Sequence, residues 1–324
     1  MINTSYVFWM ADSVLVCAAV HYCLAAGLKR RGLLSAVTCV FSTALGIVLA
    51  RLAYCLIQIN YVVYDGFWET VWSGEISYTS YYGGMAGAIL GAWLGAVATG
   101  NRPMQALNAW APAGALMAAQ ARFAEYFLDR LGAGRYLEAP AVKFFPLAIG
   151  NEYDEWYLAV FMLAGFAYLA IFIVSLVRFK KARFMRTLFY LCLVQVILES
   201  LRNQSLIWSE FVRAEQLLCM VAAEAVLVVV GVRLRRRGEP PVRAFLPAAA
   251  GLLCAGVFVA VEFVLGNKLF ASSAAEDLDF YDEAGGGDTL KRLLAYGVMA
   301  LGLALLGVLE CRLMRRARDK DLFA

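Results

Sequence analysis

The sequence contains a single histidine, His21, among 324 residues, and only 17% of its residues are charged. A soluble domain carries about 25% charged residues, so soluble and disordered classes are excluded. Histidine-based metal sites and Ser-His-Asp triads lack the residues they need. Proline is scarce too, at 7 residues, which leaves room for long uninterrupted helices. The eight cysteines (Cys17, Cys23, Cys39, Cys55, Cys192, Cys219, Cys254 and Cys311) all fall within or at the edge of apolar stretches. That placement gives neither the loop framework of a disulfide-rich secreted domain nor the spacing of a zinc cluster. No metal and no cofactor are called for. The excess of basic over acidic residues is only +4, and in a membrane protein its placement matters more than its sum. No nucleic-acid partner is implied.

What the sequence has in abundance is apolar length. Residues of the AVILMFWYC set make up 62%, and the mean hydropathy is +0.67. A helix needs about 20 apolar residues to cross a ~30 Å hydrocarbon core. Runs of that length lie near 6–28, 33–58, 82–99, 104–131, 156–177, 184–201, 214–232, 245–266 and 290–313. The expectation is an all-α polytopic membrane protein with about nine spans. The fourth run is rich in alanine and contains Pro112 and Arg122, so a broken helix sheltered by its neighbours is expected there.

Nine alternating spans place 19 of the 29 basic residues on one side: those at 29–31, 102, 178–186, 233–243 and 312–320. The other side receives Asp65, Glu69, Glu75, Asp154, Glu155 and the acidic cluster from Glu276 to Asp288. By the positive-inside rule the N-terminus is then outside and the C-terminus cytoplasmic. No cleavable signal peptide is expected, because the first apolar run has its basic cluster after it. The outer segments 59–81 and 132–155 hold many tyrosines, tryptophans and phenylalanines, which suits either an interfacial aromatic belt or a lipid- or peptide-facing surface.

Polar residues inside the spans need a reason, because a charge at the bilayer centre costs ~2.5–3.5 kcal/mol even on a lenient scale. Arg51, Arg122, Glu125, Gln195, Glu199 and Glu224 are such residues, with Arg202 just past a span. Arg122 and Glu125 are three apart, and Gln195, Glu199 and Arg202 are spaced to share a helix face. Two readings stand: a salt-bridge network that holds helices together, or an outward-facing cavity whose planar guanidiniums hold an anion such as phosphate. Gly83, Gly87, Gly91 and Gly95 form a small-xxx-small stripe for close helix approach. Gly83 and Gly84 could also bring backbone N–H groups against a ligand.

The order of these features resembles the bacterial prolipoprotein diacylglyceryl transferase family. Ser80-Tyr81-Tyr82-Gly83-Gly84-Met85-Ala86-Gly87 is similar to the family's aromatic-His-Gly-Gly-x-x-Gly segment, with Tyr82 where the histidine is expected. Ala109-Trp110-Ala111-Pro112 resembles an Asp-x-x-Ala-Pro stretch without its acidic residue. The stretch from Ala121 to Phe127 resembles the signature Gly-Arg-x-Gly-Asn-Phe; it keeps Arg122 and has Glu125 in place of the first asparagine. The segment Gln195 to Arg202 resembles Arg-x-x-x-Glu-x-x-Arg; it keeps Glu199 and Arg202, with Gln195 for the first arginine. Glu215-Gln216 resembles the Gly-Gln start of the family's last core span.

The resemblance implies a seven-span transferase-like core over 1–232 and a C-terminal two-helix extension with a basic tail over 233–324. It implies a bacterial inner-membrane enzyme that moves diacylglyceryl from phosphatidylglycerol, or another anionic phospholipid, to the lipobox cysteine of an exported preprotein. Arg122, Arg202 and Gln195 become substrate-binding candidates, with Gly83 and Gly84 shaping the site and Glu199 orienting an arginine. Tyr82, Glu125 and Glu199 become catalytic candidates. The missing histidine and arginine leave open a catalytically inactive relative that binds lipid or a partner protein. A small-molecule transporter would show internal repeats with matching broken helices, and none is visible.

Overall fold

The computed structural model describes residues 3–59, 62–63, 66–72, 79–128, 133–137, 139–202, 207–209, 212–273 and 286–319. The acidic residues at 276, 277, 279, 282 and 283, with Tyr61, Tyr64, Asp65, Glu75 and Tyr78, lie outside this set. Long helices run over α1 Thr4–Leu24, α2 Arg31–Ile57, α4 Tyr81–Ala98, α5 Pro103–Ala124, α6 Val160–Val177, α7 Arg183–Leu201, α8 Ala214–Arg236, α9 Pro241–Ser273 and α10 Gly286–Asp319. A short helix, α3 (Phe67–Trp72), precedes α4. Two small antiparallel ribbons complete the described structure: β1 (Ala148–Gly150) with β2 (Trp156–Leu158), and β3 (Ile207–Ser209) with β4 (Val212–Arg213).

Among the described residues, eight of the long helices are long and apolar enough to cross a membrane. The chain is an all-α, multi-pass membrane protein. The remaining long helix, α5, differs from expectation in two ways. It runs unbroken through Pro112, and it stops at Ala124, where the chain tightens into a 3₁₀ turn over Glu125–Phe127. Its lower apolarity fits its surroundings: α5 packs against α1, α4 and α6, and a row of buried alanines from Ala106 to Ala124 gives those neighbours a smooth surface.

By internal contacts the chain divides into two compact units, Met1–Leu191 with residues 201–206, and Cys192–Ser200 with Ile207–Ala324. In the first, α2 and α4 meet along the glycine stripe. A Cβ on Gly87, Gly91 or Gly95 would collide with the α2 backbone near Leu45, Phe41 and Thr38. The stripe therefore works as a close-approach face. Ser80 starts α4: its Oγ accepts from Gly83 N–H at 3.3 Å, while its own N–H donates to the Ala50 carbonyl at 2.9 Å. At the other end of these helices Asn101 exchanges two hydrogen bonds with the Lys29 backbone, at 2.9 and 3.0 Å. In the second unit, α9 packs on α8 and α10. Gly231 leaves room for the Ala244 carbonyl, and Gly251 for the Glu224 carboxylate.

Candidate functional site

The C-terminal end of α5 carries the most unusual group in the first unit. Arg122 is 1% exposed. Its Nη1 donates to Glu125 Oε1 at 2.5 Å, a contact available because the turn after Ala124 keeps the two residues one helical turn apart. The guanidinium lies over the ring of Tyr81, 3.8 Å from its centroid. Tyr81 in turn stacks on Tyr168 of α6, with centroids 6.2 Å apart and planes at 20°. A desolvated cation over an aromatic face gains ~2 kcal/mol, which offsets part of the cost of burying it. Among the described residues, Nε and Nη2 of Arg122 have no hydrogen-bond partner.

Arg202 approaches the same carboxylate from the other side, its Nη2 3.5 Å from Glu125 Oε2. Its position follows from backbone pairing beyond α7. Gly134 forms an antiparallel bridge with Arg202, and its N–H donates to the Leu158 carbonyl of β2 at 2.7 Å. A Cβ at Gly134 would lie 2.6 Å from the Leu201 carbonyl and 2.6 Å from Val160, so the approach requires glycine. Two guanidiniums therefore approach one carboxylate. The Nε and Nη2 hydrogens of buried Arg122 are costly to leave without an acceptor in a low-dielectric site.

Tyr82 is buried beside Tyr81, the two rings in edge contact at 5.3 Å. Gly83 and Gly84 are less available than expected. Ser80 takes both their N–H groups, through Oγ for Gly83 and its carbonyl for Gly84 at 3.1 Å. The bare Cα of Gly83 faces Leu49, Ala50 and Ala53 of α2. What the geometry shows for this pair is helix packing and capping.

Below the arginine, α4, α5 and the start of α7 line a shallow, largely apolar cleft, with Met85, Ile89, Trp110, Gly114, Thr187 and Leu191 among its walls. Tyr81, Met85 and Ile89 recur every four residues, so they share one face of α4. Arg122, Ala115 and Ala111 likewise share one face of α5. The charged end and the apolar cleft thus lie along the same two helix faces.

His21 stands apart. Asn3 Nδ2 donates to the Phe127 carbonyl and Trp9 Nε1 to the Gln120 carbonyl, at 2.6 and 3.1 Å, so the start of α1 meets the end of α5. His21 lies 12 residues beyond Trp9, about 18 Å along the helix at 1.5 Å per residue.

Gln195 and Glu199 belong to the second unit. Both are buried, at 1% and 0% exposure, and Gln195 Nε2 donates to Glu199 Oε2 at 2.9 Å. The Glu199 carbonyl accepts from Arg213 Nη1 at 2.6 Å. Sequence reasoning did not single out Tyr81, Gly134 or Arg213 as site residues. Tyr81 was visible as the aromatic residue of the segment before Gly83 and Gly84 and as one of many outer aromatics, and the other two had no local pattern around them.

No curated protein and no solved structure matched the chain. The family model described as prolipoprotein diacylglyceryl transferase matches residues 4–232, which covers α1 to α7, most of α8 and both groups of buried polar residues described above. The chain therefore belongs to the prolipoprotein diacylglyceryl transferase family.

Proposed function

We propose that the protein transfers the diacylglyceryl group of phosphatidylglycerol to the lipobox cysteine of an exported preprotein, at the outer face of a bacterial inner membrane. The observation that carries this reading is the pair of arginines on Glu125, with Nε and Nη2 of the buried Arg122 lacking a hydrogen-bond partner among the described residues. An anionic phospholipid has the matching form. Its phosphate completes the arginine pair, and an acyl chain follows the apolar cleft along α4 and α5.

In the reaction, the cysteine sulfur bonds to the terminal glyceryl carbon of the diacylglyceryl group while that carbon's bond to the phosphate oxygen breaks. Glycerol phosphate leaves, and the thiol proton is lost. Arg122 and Arg202 stabilise the charge that grows on the leaving phosphate, an electrostatic contribution worth about 10²–10³ in rate for one well-placed donor. Glu125 holds the two guanidiniums toward one point. Tyr82 and Glu199 are the remaining candidates for handling the thiol proton. An ordinary phenol, with a pKa of ~10, keeps its own proton at neutral pH, so it accepts a thiol's proton there less readily than the imidazole expected at the Tyr82 position. Gln195 fixes the Glu199 carboxylate. In this reading the N-terminus is outside and the C-terminus cytoplasmic.

The test is reconstitution of the purified chain in vesicles with isotope-labelled phosphatidylglycerol and a lipobox peptide, read by mass spectrometry. The expected product is the peptide with a labelled thioether-linked diacylglyceryl group. Labelled phosphatidylglycerol retained by the protein without product would instead identify a binding protein of the same family. Single cysteines at positions 3 and 320 should react with an impermeant reagent added outside and inside, respectively; the reverse pattern would invert the topology.

A further inference from the structure

The family match ends at residue 232, yet α9, which follows it, places a carboxylate among residues of α7 and α8. Glu262 is 7% exposed. Its Oε1 accepts from the Ser200 hydroxyl and from Gln216 Nε2, the latter at 3.1 Å. Gln216 Nε2 also reaches the Ser200 hydroxyl at 3.0 Å and the Val196 carbonyl at 2.9 Å. Glu262 Oε2 lies 3.9 Å from Arg213 Nε, and Nη1 of the same arginine donates to the Glu199 carbonyl. From α10, the Tyr296 hydroxyl donates to the Ser200 carbonyl at 3.3 Å. The last turn of α7, where the unsatisfied carbonyls of a helix end gather, is thus tied by side chains from outside the matched region. All these groups lie in the second compact unit.

We propose that Glu262 is a positioning residue, supplied by the C-terminal extension, that fixes the Glu199–Ser200 turn of α7 through Ser200, Gln216 and Arg213. The inference rests on the transferase reading above for its effect on rate, and on geometry alone for its effect on the helix. Buried hydrogen bonds to a carboxylate stiffen the groups they join. A carboxylate that closes three such contacts at once sets where the neighbouring Glu199 backbone sits.

The experiment uses the full chain in lipid nanodiscs and compares the wild type with Glu262→Ala and Glu262→Gln by amide hydrogen exchange and by transfer kinetics. Losing the buried acceptor in Glu262→Ala should raise exchange over residues 196–201 by about tenfold, with exchange in α5 unchanged. It should lower kcat by about tenfold and leave KM for the lipobox peptide within about twofold, the pattern of a contact that matters only once substrate is bound. Glu262→Gln keeps an oxygen for Ser200 and Gln216, so it should restore most of the protection and most of kcat. If Glu262→Ala does not fold, Gln216→Leu removes the donor shared by Ser200 and Glu262 and should raise the same exchange.

Unchanged exchange over 196–201 would overturn the proposal whatever the activity. Faster exchange with wild-type kcat would overturn its catalytic part. A wild-type chain that performs no transfer, with exchange still responding to Glu262→Ala, would remove the transferase reading and leave Glu262 as the residue that fixes this turn.

Discussion

The two buried polar groups of this chain are built from the same kinds of side chain and differ in what they leave over. Around Glu125, two guanidiniums meet one carboxylate, and Nε and Nη2 of Arg122 have no hydrogen-bond partner among the described residues. Around Glu262, the Arg213 guanidinium lies beside Oε2, and Oε1 accepts from Ser200 and Gln216. Burial penalises both. In the reading proposed above, the unsatisfied N–H groups of Arg122 receive an anion, whereas the bonds of Glu262 hold the end of α7 in place.

The largest effect should come from removing the arginines. Arg122→Ala should reduce transfer by about 10³, and Arg202→Ala, which is more exposed and meets Glu125 at a longer distance, by about 10². Arg122→Lys should recover little, because an ammonium has neither the planar fork nor the stacking on Tyr81 that a guanidinium offers. Labelled-product formation by mass spectrometry decides it. Normal transfer by both alanine variants would end the argument that this pair holds the phosphate.

A smaller effect, on stability, sharpens the contrast. Glu125→Gln leaves two buried guanidiniums without a charge between them, and breaking a buried pair in this way costs about 3–5 kcal/mol. The variant should melt well below the wild type in neutral lipid. Phosphatidylglycerol should raise its Tm more than phosphatidylcholine does, since its phosphate carries a net negative charge whereas that of phosphatidylcholine is balanced by its own choline. Equal Tm values in the two lipids would mean that the net charge of the headgroup is not what completes the arginine pair.

The helices were legible because their signal is local. Apolar runs bounded by basic clusters placed nine long helices to within a few residues at most ends, and the four-residue glycine spacing announced the α2–α4 contact. The run expected to reach residue 131 failed because hydropathy averages over a window; Ala124 and Glu125 mark an ending that only backbone geometry reveals. The ribbons at 148–158 were not foreseen, since three-residue strands are too short to show a period. Among the buried polar residues, Arg122 with Glu125 in the first unit and Gln195 with Glu199 in the second could each be paired from their spacing. Nothing near Arg202 or Gly134 in the sequence says that they meet each other or that Arg202 reaches Glu125, 77 positions earlier. Glu262 was within reach of the same criterion that flagged Glu199, a carboxylate inside an apolar span, but no family motif drew attention to it.

The smallest effect belongs to the residues around the missing imidazole. Tyr82 occupies the position where the family resemblance expects histidine, and it is buried next to the tyrosine that Arg122 covers. An imidazole with a pKa near ~6.5 can accept a thiol proton at neutral pH far better than a phenol near ~10. Tyr82→His should therefore keep transfer at the wild-type level or raise it, at most into the 10²-fold range that a positioned general base contributes. His21→Ala should leave the rate unchanged, because His21 sits near the end of α1 remote from the Asn3 and Trp9 contacts to α5. The two variants measured side by side, at several pH values, separate an imidazole that lines the reaction site from one that only packs in a helix. A loss of transfer in Tyr82→His with the fold intact would show that the phenol itself has been recruited. A loss in His21→Ala would relocate the chemistry away from the arginine pair.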